Sequence, residues 1–148
     1  GLYIGDLPQA NIQYVPNTGH DIREAAQVVS QTASFYRHIA SGRQLPDFTW
    51  TGLEQGMFTV MPAGQKPLEA KLWTATNPAS RDFRWQADNQ TAVQWTAAAL
   101  EAGADGAFSG AVPLPAAGFT AYYIELVYRG ANRKSTLSLA TPIQILGQ

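Results

Sequence analysis

The chain has 148 residues, of which 45% are hydrophobic and 14% charged, a composition that excludes an intrinsically disordered protein. Ten Lys and Arg against eleven Asp and Glu give a formal net charge of -1, so the chain lacks the basic surface of a nucleic-acid-binding protein. The absence of cysteine excludes disulfide scaffolds, thiolate metal sites and cysteine nucleophiles.

The N-terminal residues have neither an initiator Met nor the basic region of a signal peptide, so we expect the chain to be part of a longer protein. No apolar run approaches the roughly 20 residues of a membrane span. With only two histidines, the chain is expected to hold no metal, and nothing in the sequence points to a cofactor.

The first 45 residues show the pattern of a strand, a turn and a helix. Residues 11–15 begin with alternating polar and apolar residues, and residues 16–19 have the composition of a turn. A helix is predicted to follow, with Asp21 and Glu24 as a capping box and Gly42 just past its C-terminal end. This order is half of a βαβ unit, which normally belongs to an α/β sheet.

Apolar residues recur along the predicted helix mostly at spacings of three and four, which predicts a single apolar stripe. They are Ile22, Ala25, Ala26, Val29, Ala33, Tyr36 and Ala40. His38 lies two positions from Tyr36 and from Ala40 and is predicted to face solvent. Because the rest of an α/β sheet is missing, the stripe needs another cover, either the remainder of the chain or a second copy in a dimer.

Short β-like runs separated by turn residues fill the chain after residue 45. Eight strands are predicted, at residues 48–51, 57–61, 68–75, 83–87, 92–96, 108–114, 119–128 and 137–146. The seventh is apolar on both faces and is expected to be central in its sheet. The predicted fold class is mainly β, with an immunoglobulin-like or fibronectin-like sandwich at residues 46–148 after the strand-loop-helix segment of residues 1–45.

His20 lies in the loop between the predicted strand and the predicted helix. The catalytic histidine of α/β-hydrolases has the same local context, after the last strand and before the last helix. The alternative is a loop histidine that packs at the start of the helix. None of the seven serines lies in a G-x-S-x-G turn, so the chain by itself is not expected to catalyse acyl transfer.

Four tryptophans lie in predicted strands, where they either fill a core or form platforms that stack on sugar rings. They are Trp50, Trp73, Trp85 and Trp95. Trp73 and Trp85 flank a polar turn that carries Arg81, Asp82 and Arg84. Asp82 is expected to pair with one arginine and brace the turn. Alternatively, Arg81 and Arg84 bind an anionic ligand or dock a domain.

Several blocks of sequence carry a more specific signal. They are YVPNTGH at residues 14–20, FY at 35–36, LPDFTW at 45–50, LWTATNP at 72–78 with RDFR at 81–84, and GFTAYYIEL at 118–126. In this order they resemble the C-terminal part of the PhoPQ-activated pathogenicity-related protein family. The block that runs from Trp73 to Arg84 is the most specific of them.

This resemblance implies an extracytoplasmic protein, periplasmic or secreted, with an α/β-hydrolase-like catalytic domain followed by a β-rich C-terminal domain. His20 matches the histidine of the triad-like site, where it would act as general base. The nucleophile and the acid would lie upstream, in a catalytic domain outside this sequence. The parent protein would then be a serine hydrolase of the esterase or peptidase type, and this chain alone would be inert.

The alternative is a stand-alone β-sandwich that binds a glycan, a component of the cell envelope or a partner protein. Its candidate binding residues are Arg81, Arg84, Trp73 and Trp85. This alternative predicts exposed tryptophans, whereas the hydrolase hypothesis predicts buried ones.

Overall fold

A computed structural model describes residues 11–18, 25–84, 93–132 and 134–148. These residues form a mainly β fold with two antiparallel sheets and a helix, α1 (Ala25–Ala40). The strands are β1 (Asp47–Thr51), β2 (Met57–Ala63), β3 (Glu69–Asn77), β4 (Thr96–Ala99), β5 (Phe108–Ala111), β6 (Phe119–Arg129), β7 (Thr136–Ala140) and β8 (Gln144–Gly147). A single 3-10 turn in this part of the chain, Leu53–Gln55, precedes β2.

The longest strand, β6, is the centre of the larger sheet. The smaller sheet has the order β1-β2-β5, and the larger has β4-β3-β6 followed by β7. β8 also pairs with β6: β7 covers residues 125–129 of that edge and β8 covers residues 119–122. The sequence prediction of a central strand at residues 119–128 is therefore confirmed.

Side chains of β6 contribute to an apolar cluster on each face of its sheet. Toward the smaller sheet, Ile124 and Leu126 are fully buried and share a cluster with Phe58 and Val60 of β2. The opposite face carries Tyr123, 2% exposed, in a second cluster. Because neither face of the strand meets bulk solvent, apolar residues run through it without alternating.

The predicted run at 137–146 is two strands separated by a short break. Pro142 has no N–H to donate to a ladder, which favours an interruption at this point. At this break the buried Thr141 provides the hydrogen-bond partner for the backbone of β6: its Oγ1 accepts a hydrogen bond from the Ile124 N–H at 3.0 Å. The same residue donates its own N–H to the Ile124 carbonyl at 2.9 Å.

Two other strand predictions differ from the structure, and a third is described only in part. Residues 11–15 contain only an isolated bridge, between Ile12 and Ala140. The strand expected at 92–96 occurs instead at β4, and residues 83 and 84 of the run predicted at 83–87 are irregular. The other residues of that run lie outside the described ranges.

The helix is confirmed over Ala25–Ala40, and Gly42 follows it with φ 68°, the left-handed conformation expected after a helix end. Its orientation, however, reverses the prediction. His38, predicted to face solvent, is 3% exposed, whereas Val29 and Tyr36 of the apolar stripe are 66% and 70% exposed. The predicted capping residues Asp21 and Glu24 lie outside the described ranges.

A sheet edge explains why polar residues of α1 face inward. The helix packs against β7, and the Ser138 N–H on the outer edge of β7 has no partner among the described strands. Gln31 accepts the Ser138 N–H at 3.0 Å and also accepts the Gln13 amide at 3.0 Å. Gln31 thus supplies a hydrogen bond to this edge, and Phe35 of the same helix packs against the apolar cluster between the sheets.

Replacing Gln31 with leucine is expected to destabilise the chain by about 1–3 kcal/mol, although it adds apolar surface at a buried position. The change leaves the Ser138 N–H without its acceptor. Urea denaturation would measure the loss, with Gln27→Leu on an exposed position of α1 as control. A Gln31→Leu variant as stable as the control would contradict the role of α1 as an edge cover.

Candidate binding pocket

A cavity of about 710 Å³ lies on the outer face of the larger sheet, where the second apolar cluster packs. Its apolar lining consists of Tyr14, Val15, Pro16, Phe83, Trp95, Tyr123, Ile143 and Ile145. Arg81, Asp82 and Arg84 supply its described charged side chains. The size falls within the usual range for small-molecule sites.

Aromatic contacts set the shape of this cavity. The ring of Tyr123 contacts those of Tyr14 and Trp95, whose centroids are 4.7 Å and 5.3 Å away. Phe83 contacts Trp95 at 6.2 Å, and the Trp95 indole donates to the Phe83 carbonyl at 3.3 Å. Since each ring is held by a neighbour, the cavity is preformed rather than assembled by a ligand.

The segment before α1 is fixed to the sheet by Asn17. Its side-chain amide accepts the Trp95 N–H at 2.8 Å and donates to the Trp95 carbonyl at 2.9 Å. Asn17 has φ 58°, a left-handed conformation that asparagine tolerates better than most residues. Nearby, the Tyr14 hydroxyl accepts the Ile143 N–H at 3.3 Å. These bonds hold Tyr14 over the sheet.

Tryptophan environments favour the core interpretation at two positions. Trp73 stacks on Tyr123 at 6.1 Å with an interplanar angle of 12°, and its indole donates to Glu125 at 2.8 Å. Trp95 is 8% exposed. Trp50, on the edge strand β1, is 43% exposed. Trp85 lies outside the described ranges, so its predicted binding role, like that of Trp73, stays a prediction.

The polar turn is organised by Asn77, the last residue of β3. Its side-chain oxygen accepts the N–H groups of Ala79 and Ser80, at 3.0 and 3.2 Å, and its amide donates to the Asp82 carbonyl at 2.7 Å. Arg84 binds both carboxylate oxygens of Asp82, through Nε at 2.9 Å and Nη2 at 2.6 Å. The predicted bracing of the turn by Asp82 is therefore present, with Arg84 as the partner.

The rim of the cavity carries one positive charge that has no described counter-ion. The hydrogen bonds from Arg84 lower the pKa of Asp82 to about 2, so this carboxylate is ionised and balances Arg84 at neutral pH. Arg81 forms no ion pair with any described carboxylate, and its guanidinium lies 5.8 Å from the centroid of the Phe119 ring. Arg81 is exposed and lines the cavity.

The described side chains that line the interior of the cavity are uncharged. Burial raises the pKa of Tyr14, and burial together with the nearby Glu125 raises the pKa of Tyr123, so both phenols are neutral at physiological pH. The chemical character of the site is therefore an aromatic pocket with a cation at its rim.

His20 lies outside the described residues, so its predicted triad role stays a prediction. In the part of the chain that the structure describes, no cluster of three or more acidic or histidine side chains is suited to a metal ion. Across the same residues, no helix combines the length and apolar character needed to cross a membrane.

Comparison with known proteins identifies the family. The model of the PhoPQ-activated pathogenicity-related protein family matches residues 2–84, more than half of the chain. The chain belongs to this family. It is also 26% identical to autocrine proliferation repressor protein A of Dictyostelium discoideum, over 82% of the chain but only 28% of that protein. No solved structure matches the chain significantly.

The sequence blocks named above are enough to recognise this chain as a member of the PhoPQ-activated pathogenicity-related protein family. The aromatic pocket, by contrast, is not predicted from the sequence. The sequence predicts Tyr14, Trp95 and Tyr123 on three separate strands, and no feature of their spacing brings them together. One signal was available: the apolar residues on both faces of β6 require a cover on each face. The residues before α1 provide part of that second cover.

Proposed function

We propose that the chain is the C-terminal part of a larger, secreted or periplasmic polypeptide of the hydrolase type. In this proposal an upstream domain supplies the nucleophile and the acid, His20 supplies the histidine, and the β-rich part is an accessory domain. The observation that carries the proposal is the apolar face of α1, which the described residues leave uncovered.

The two sides of α1 differ in kind. One side lies against β7, where Gln31, Ser34 and His38 are buried. On the side away from β7, Val29 and Tyr36 are largely exposed, and Ile39 beside them is 53% exposed. An apolar helix face of this kind normally packs on a neighbouring structure. The final helix of a hydrolase-like domain would pack in this way on its own sheet.

The length of the chain relative to its curated relative supports an upstream domain as the cover of the exposed face of α1. The chain spans 28% of the curated relative that it matches, so that relative has a long additional portion. In our proposal such a portion lies upstream of this chain and holds the catalytic domain that the family resemblance implies. We therefore take the upstream domain, rather than a second copy of the chain, as the partner of the exposed face.

The first test is the mass of the native protein in source cells, detected with an antibody against this chain. A species several times heavier than 16.0 kDa is expected. A native species of about 16.0 kDa would overturn the proposal and leave the β-rich domain as a protein in its own right.

Val29→Glu tests the docking face. In the isolated chain the substitution is expected to change the free energy of unfolding by no more than about 0.5 kcal/mol, since Val29 is exposed there. In the longer polypeptide it would bury a charge and cost about 2 kcal/mol or more. Thermal or urea unfolding of both forms measures the difference, with the exposed Ser30→Glu as matched control.

An equal effect of Val29→Glu in the short and the long form would contradict docking of the upstream domain. Sedimentation of the isolated chain examines the competing occupant. A dimer that Val29→Glu dissociates would show that a second copy covers α1 instead.

The competing function is a binding module for a glycan or a protein partner. The observation that favours it is the aromatic pocket with Arg81 at its rim. Binding that persists in the absence of any upstream sequence would support this function.

A further inference from the structure

We propose that the aromatic pocket binds an organic anion, namely a ligand with a flat apolar or aromatic ring system and an acidic group. The ring system would lie among Tyr14, Trp95 and Ile143, and the acidic group would meet Arg81. The proposal is independent of the hydrolase hypothesis, because it needs only residues that this chain contains.

The shape and lining of the cavity favour a ring system. Its volume of about 710 Å³ is large enough for a ligand of two or more rings. The cavity is lined by four aromatic side chains suited to offset or edge-to-face contacts, namely Tyr14, Phe83, Trp95 and Tyr123. Tyr14 and Tyr123 are neutral, so their phenols add no charge to the surface on which an apolar ring would lie.

The charge at the rim favours an acid over a neutral ligand. Of the three charged side chains there, Asp82 and Arg84 neutralise one another through two hydrogen bonds. Arg81 keeps its donors free of any described carboxylate and lies against Phe119, which limits its freedom of movement. A guanidinium placed in this way pairs well with a planar carboxylate.

The same features argue against a neutral sugar as the principal ligand. Of the two tryptophans that flank the polar turn, Trp73 lies within the described residues, and it is engaged on its ring face by Tyr123 and on its indole N–H by Glu125. The cavity itself offers few neutral polar groups to match the hydroxyls of a sugar ring. Binding of a neutral glycan is therefore an outcome that would count against the proposal.

The test uses two probes of one shape, 2-naphthylacetate and its neutral amide, titrated into the chain. Isothermal titration gives affinities, and NMR follows the indole N–H of each tryptophan. The acid is expected to bind with a Kd of about 1 mM or tighter and to shift the Trp95 resonance, while Trp50 on the other sheet stays unshifted.

Charge recognition is read from the ratio of the two affinities. The acid is expected to bind about threefold to tenfold more tightly than the amide, and added salt should reduce this ratio. Arg81→Gln should remove the preference and Arg81→Lys should restore part of it. Arg129→Gln, at the exposed end of β6, should leave it unchanged.

A filling variant keeps the test independent of Arg81. Val15 lines the cavity from an irregular segment, so Val15→Trp should occupy the space without disturbing a strand and should abolish binding of both probes. The proposal is overturned by equal affinities for acid and amide. It is also overturned if neither probe shifts Trp95 up to about 10 mM, or if Val15→Trp, with wild-type stability, binds like the parent chain.

Discussion

Leu126→Ala is expected to lower the free energy of unfolding by about 2–5 kcal/mol, the range for removing a fully buried leucine side chain. Leu126 is 0% exposed and sits on the inner face of β6, in the cluster that both sheets share. Strands β3 and β7 flank it on either side, through its backbone partners Ala70 and Leu139. With the backbone held from both edges, the cavity has little room to collapse, which places the loss toward the upper part of the range.

Leu114→Ala is the matched control, because this leucine is 73% exposed and its truncation should cost no more than about 0.5 kcal/mol. Urea denaturation of the two variants should shift the midpoint of Leu126→Ala alone, with similar slopes for both. Equal losses in the two variants would show that the two sheets do not share a tightly packed core at β6.

The strands that sequence predicted best are those whose signal is local. β6 is a run of eleven residues dominated by β-branched, aromatic and aliphatic side chains, so its length and its central place follow from composition alone. Pro142 is a local signal for the break, but the hydrogen bonds by which Thr141 satisfies the edge of β6 there involve Ile124, which lies 17 residues earlier. The apolar pattern alone predicts one strand at residues 137–146, because contacts of this kind leave no trace in it.

The predicted orientation of α1 is wrong for a related reason. Helical periodicity identifies an apolar side and assigns it to the core, but it does not reveal which neighbours are present. Here the neighbour is the edge of β7, and its unpaired N–H group selects Gln31 as the inward residue. His38 is carried inward with it, against the prediction from spacing.

In the candidate site, too, the sequence predicts the local contact and misses the long-range one. The pairing of Asp82 with Arg84 lies within one turn, and sequence proximity was enough to anticipate it. The pocket brings Tyr14 to Tyr123 across more than one hundred residues of chain. Sequence reasoning had no means of pairing them, since their contact depends on how segment 11–18 crosses the finished sheet.

His20→Ala in the longer polypeptide is expected to reduce kcat for ester or peptide hydrolysis by roughly 10²–10⁴-fold, the contribution of a positioned general base and acid. In the proposed reaction the His20 imidazole takes the proton of an upstream serine as the hydroxyl attacks the carbonyl, then returns a proton to the leaving group. The loss should appear in kcat more than in KM, because a group that only moves protons contributes little to ground-state binding.

Substrate turnover measures the loss of kcat, and labelling by a fluorophosphonate probe measures the activation of the upstream serine. The probe reports an activated serine even where the preferred substrate is unknown. His38→Gln is the matched control: it removes the other histidine from a buried position on α1, so it should cost stability while leaving kcat per folded molecule unchanged. Wild-type kcat in His20→Ala, or a longer polypeptide that neither turns over esters and peptides nor takes the label, would contradict the hydrolase proposal. The organic-anion pocket would be untouched by that result, because Arg81, Trp95 and Tyr14 act there without His20.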